Sequence, residues 1–262
     1  MLLKPHYLYK YKSVNSKEEL DRVIDIIENK RLYLPNAQSL NDPFEGLSIH
    51  CEFHYAGSGF RAQMGKIDLL YEEQLSKYKV ISFTSIINSP IMWAHYGNDY
   101  HGCCVIISSK NILQDVRPVV YTDSIFSTGD INGALDHMPQ IVEEALSIKK
   151  RDWAYENEWR YIRNCDDKFL QLDDSDLIGV VIGQNMCEEY ASLIIDACNR
   201  FNIHCVKTQI MYSKTDVQFV PQNFCIEEIP DPYFFLEEGD LKNLLKELNG
   251  QRIPAGFYED RY

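Results

Sequence analysis

The chain has 262 residues, 45% of them hydrophobic, and carries 26 lysine and arginine against 39 aspartate and glutamate, a formal charge of −13. A chain of this length can bury roughly 70% of its unfolded surface without staples. Its acidic field repels phosphate backbones and anionic lipid, which argues against general nucleic-acid or membrane-surface binding but not against a local basic pocket.

In chain order, YLYKYKSV (Tyr7 to Val14) is aromatic and β-branched and reads as a strand. SKEELDRVIDIIENK follows as an amphipathic helix, with Ser16 and Glu19 spaced as a capping box and Leu20, Val23, Ile24 and Ile27 on one stripe. RLYLPNAQSLNDPFEG gives a short strand stopped by Pro35, then a loop that Asn41-Asp42-Pro43 holds extended. KVISFTS, GCCVIIS and VRPVVYT read as three strands, and a helix is expected from about Ala134 to Lys150. WAYENEWRYIRN has the period of a further strand, and DLIGVVIG that of a buried one. A helix from near Asn185 towards Phe201, strands near HCVKTQIM, VQFV and FCIEEI, and a last helix in DLKNLLKELN complete the pattern. The expected fold is α+β, with mostly antiparallel strands in a bent, split sheet around a cleft and helices on its flanks. Residues 1–230 are expected to form one domain and 231–262 a helical appendage.

Cys51, Cys103, Cys104, Cys165, Cys187, Cys198, Cys205 and Cys225 include no CxxC pair, and MLLKPHYLYKYK lacks the apolar core of a signal peptide. Both point to a cytoplasmic protein with reduced thiols. No apolar run approaches the roughly 20 residues of a membrane span. The histidine and cysteine groups around His50 and His95 have no zinc-site spacing, so no metal is expected. Phosphate-loop, dinucleotide and serine-hydrolase motifs do not occur.

Two stretches carry candidate chemistry. SPIMWAHYGNDYHG gathers Trp93, His95, Tyr96, Tyr100 and His101 beside Gly97 and Gly102. Such side chains can stack on and orient a ligand, or Met92, Trp93 and Tyr96 can simply pack as one helical face. In YENEWR, a strand would put Glu156, Glu158 and Arg160 in one row. That row can supply a base or an anion opposite a developing cation, with Arg160 gripping phosphate, or it can be a solvated ion-paired face. Asn41 and Asp42 either fix a loop beside a site or bond only their own turn.

Taken in order, LYKY (from Leu8), LNDPFE (from Leu40), MWAHYGNDYHG (from Met92), VVYTD (from Val119), WAYENEWR (from Trp153) and VIGQNM (from Val181) resemble a widespread bacterial and phage family of uncharacterised domains. The resemblance runs from residue 8 to about 210. The layout is similar at a distance to the ADP-ribosyltransferase superfamily, and that similarity implies NAD as substrate and no metal. Glu158, with Glu156 beside it, would match the late glutamate, His95 or Tyr96 the middle position, and Tyr9 or Tyr11 the first strand, which here lacks the arginine or histidine common in that superfamily. Lys10 and Arg160 would face NAD phosphates, with Asn41, Asp42, Trp93 and His101 around the cofactor.

The resulting expectation is an ADP-ribosyltransferase-like enzyme in a toxin or phage-defence setting. Glu158 would stabilise the oxocarbenium as the nicotinamide bond breaks. Two alternatives stand beside it: a non-catalytic domain that senses a small molecule or nucleotide or binds protein, and a nuclease or phosphodiesterase using His95 and His101 as acid and base.

Overall fold

The computed structural model describes residues 5–42, 45, 69–112, 115–123, 137–211 and 216–221. The strands are β1 (Tyr7–Lys12), β2 (Arg31–Tyr33), β3 (Tyr78–Thr84), β4 (Cys103–Ser108), β5 (Val116–Pro118), β6 (Val120–Thr122), β7 (Ile148–Lys150), β8 (Glu158–Asn164), β9 (Phe169–Gln171), β10 (Leu177–Ile182), β11 (His204–Met211) and β12 (Asp216–Pro221). The helices used below are α1 (Lys17–Asn29), α2 (Pro90–His95), α3 (Met138–Ala145) and α4 (Glu188–Arg200). The fold is α+β, and its strands pair mainly antiparallel. The chain divides into two compact units.

The first unit comprises Met1–Leu32, Thr84–Asn111 and Gln171–Tyr262. Its strands lie in the order β12-β11-β10-β4-β1. β1 runs antiparallel to β4 from Tyr7 opposite Ser108 to Lys12 opposite Cys103, and only β10 and β11 are parallel. Every residue of β4 is buried, as its uninterrupted apolar run requires. α1 begins where Ser16 accepts from the Glu19 N–H, and it buries Leu20, Val23, Ile26 and Ile27. Glu19 reaches back to the Asn15 N–H and the Ser13 hydroxyl, a box one residue wider than the spacing implies.

The second unit comprises Tyr33–Phe83 and Ile112–Leu170. β3, β8 and β5 lie side by side, and β6 pairs in parallel with β7. Tyr78 and Val80 of β3, Ile162 of β8, and Met138, Ile141, Val142 and Ala145 of α3 share one apolar cluster.

Three expectations are corrected here. VRPVVYT forms two strands: the Val119 N–H still donates to the Glu158 carbonyl at 2.9 Å, and from Val120 onward the chain pairs with β7 instead. The helix expected to reach Lys150 ends at Ala145, and Ile148–Lys150 is a strand. Within WAYENEWRYIRN, Arg151–Glu156 is a 3-10 helix and only Glu158–Asn164 is extended. The appendage expected over 231–262 and the strand near FCIEEI lie outside the described residues.

Candidate functional site

In the first unit, Ser89 caps α2 by accepting from the Met92 N–H, with Pro90 at its first position. This short helix delivers Trp93 into the core at 0% exposure. The Trp93 indole N–H donates to the Ile87 carbonyl at 2.8 Å, and the Tyr11 hydroxyl donates to the same oxygen at 2.7 Å. The Trp93 ring meets Tyr11 edge-on, with centroids 5.0 Å apart, and stacks on Tyr100 at 5.2 Å.

Beyond the helix, Asn98, Asp99 and Tyr100 all have positive φ, at 50°, 49° and 65°. Three consecutive left-handed residues without glycine are costly, on the order of 1–2 kcal/mol each for an ordinary side chain and less for Asn or Asp. The neighbours that hold them come from the VIGQNM block. The Asn185 backbone N–H donates to the Tyr100 carbonyl at 2.9 Å, and its side-chain amide donates to the Asp99 carbonyl at 2.8 Å. The Asn98 amide donates to the Asn15 side chain, and the His101 N–H closes the turn on the Asn98 carbonyl at 2.8 Å. Gly102 and Gly183 allow this approach: a Cβ on either would lie 2.1 Å from a backbone oxygen, that of Lys12 or Tyr100 respectively.

The turn leaves His95 and His101 exposed and Tyr96 half-buried, while His101 Nδ1 stands 3.0 Å from the Asn98 carbonyl. Lys10 is half-buried on β1. Tyr9 at 1% and Tyr11 at 8% exposure lie inside the core. The rings of Trp93, Tyr9 and Tyr11 are thus already enclosed by protein and present no open face to the cofactor expected around them.

In the second unit, β8 and its surroundings build a buried charge cluster. The Arg160 Nε and Nη2 donate to the two Glu158 oxygens at 2.7 and 2.9 Å, Nη2 also to Glu45 Oε1 at 2.6 Å, and Nη1 to the Leu146 carbonyl at 2.8 Å. Lys149 Nζ lies 2.5 Å from Glu156, 3.0 Å from Glu45 and 3.2 Å from Glu158. All five side chains are at most 4% exposed. Burial alone would push the Glu158 carboxyl up, but the bonded Arg160 guanidinium and the Lys149 ammonium outweigh it and hold the group at about 2. Burial pulls the Lys149 ammonium down, yet the three glutamates leave it above its ordinary value.

Local geometry makes this assembly possible. Glu156 ends the 3-10 helix and Glu158 begins the strand; Asn157 between them adopts φ 45°, and both carboxylates reach Lys149. The two glutamates are thus not neighbours on one strand face, as the period of YENEWR implies. Tyr121, opposite Lys149 in the β6–β7 register, accepts from the Glu158 N–H at 2.8 Å. The Glu45 N–H donates to the Asp42 carbonyl at 3.0 Å; Asp42 is buried and Asn41 exposed. Half-buried Trp153 and Tyr155 flank the cluster, with Trp153 under Lys149 at 4.8 Å.

The structure thus brings Glu156, Glu158 and Arg160 together with Glu45 and Lys149. Tyr9, Lys10, Tyr11, Trp93, His95, Tyr96 and His101 belong to the other unit. Two expectations are corrected: the row of Glu158 and Arg160 is not a solvated face, and the Arg160 guanidinium is enclosed by carboxylates and a carbonyl rather than open to phosphate. Lys149 was missed, since the segment carrying it reads as helix. Phe44, His50, Cys51, His54 and Cys225 lie outside the described residues. The described cysteines are free thiols, and among the described residues no group of three or more His, Cys, Asp or Glu side chains is placed to hold a metal ion. Among them, no helix is long and apolar enough to cross a membrane.

A family model described as "Protein of unknown function (DUF2971)" matches residues 92–161, from α2 to the Arg160 end of the charge cluster. No curated protein and no solved structure gives a significant match.

Proposed function

We propose that this chain is a sensing domain that binds a small molecule without turning it over. One observation carries the reading: the carboxylate best placed for chemistry, Glu158, is buried and already neutralised by Arg160 and Lys149. A catalytic carboxylate must reach the reacting atoms, and its field stabilises a developing cation only where nearby cations do not cancel it. A paired cluster with half-buried aromatic rings at its edge suits recognition better than turnover.

The second reading is an ADP-ribosyltransferase-like enzyme that consumes NAD, as a toxin or phage-defence effector. It is favoured by Glu158 staying ionised in a fixed orientation, with Glu156 two positions before it. Incubation with labelled NAD, alone and with cell lysate, separates the two. The sensing reading expects neither nicotinamide release nor label transfer. Turnover that disappears in Glu158→Gln while the melting transition persists would replace it with the enzymatic reading.

A further inference from the structure

We draw no further inference here: the strongest candidate, the thiol pair of Cys198 on α4 and Cys205 on β11 in the first unit, carries nothing, because both side chains are at most 2% exposed and out of reach of an oxidant or ligand.

Discussion

Arg160 grips Glu158, two positions earlier on the same strand, through both carboxylate oxygens, Nε to Oε1 at 2.7 Å and Nη2 to Oε2 at 2.9 Å. With both side chains buried, the pair exerts its effect mainly when one member is missing. Removing one partner of such a pair strands the other charge and costs about 3–5 kcal/mol. Glu158→Gln should therefore lower the unfolding free energy by roughly that amount in urea titration, a larger effect than a solvated strand face would give. Glu156→Gln, which loosens the hold on Lys149 while Arg160 keeps Glu158 and Glu45, should cost less. A Glu158→Gln protein as stable as the parent would mean the cluster is wetter than its burial indicates.

Acid should weaken the fold through the same residue. The Glu158 carboxyl sits at about 2 against an ordinary 4.5, so the folded state binds its proton less readily than the unfolded state does. Its contribution is then fully present above 4.5 and is lost as pH falls from there through about 2. That contribution is on the order of 3 kcal/mol. Urea midpoints measured from pH 7 to pH 2 should fall most steeply below about 4.5, and Glu158→Gln should flatten that part of the profile. A parent profile that is level down to pH 2 would contradict the pairing.

How much of this the sequence discloses depends on the range of the interaction. α1 is legible because its cap and stripe are local, and β4 because six buried residues in a row leave few alternatives. The break at Glu156 and Asn157 is not legible: one left-handed residue overrides a two-residue period that runs cleanly through the letters. Lys149 is hidden for a related reason. Nothing within a few residues of it announces β7, whose partner β6 lies 28 positions earlier. The density of aromatics around Trp93 is visible, but their division into an enclosed Trp93 and exposed histidines depends on Ile87 and Tyr11, which only the folded chain assembles.

The left-handed run makes a prediction that is independent of the charge cluster. Asp99 is exposed with φ 49°, so its side chain can be exchanged while the backbone conformation is retained. Alanine has neither the freedom of glycine nor the local hydrogen bonding that eases Asp into this region. Asp99→Ala should be less stable than Asp99→Gly by about 1 kcal/mol in thermal or urea unfolding. Equal stabilities would indicate that the turn relaxes to negative φ in solution.

The contact between Gly183 and Tyr100 gives the strongest test of why the turn has this shape. A Cβ on Gly183 would lie 2.1 Å from the Tyr100 carbonyl oxygen and 2.8 Å from that of Gly102, and both obstacles are backbone rather than a side chain able to swing away. Gly183→Ala must therefore push the turn off β10, breaking the Gly183 N–H bond to the Gly102 carbonyl and the Asn185 N–H bond to the Tyr100 carbonyl together. Overpacking of this kind costs about 3 kcal/mol or more where the neighbours cannot move. Asn185→Ala, which keeps both backbone bonds and removes only the side-chain bond to Asp99, should cost about 1 kcal/mol. Hydrogen exchange gives the local readout: the Gly183 and Asn185 amides should lose protection in Gly183→Ala and keep it in Asn185→Ala. If Gly183→Ala melts with the parent and both amides stay protected, the turn does not rest against β10 and the physical account of the HYGNDYHG and VIGQNM blocks is wrong.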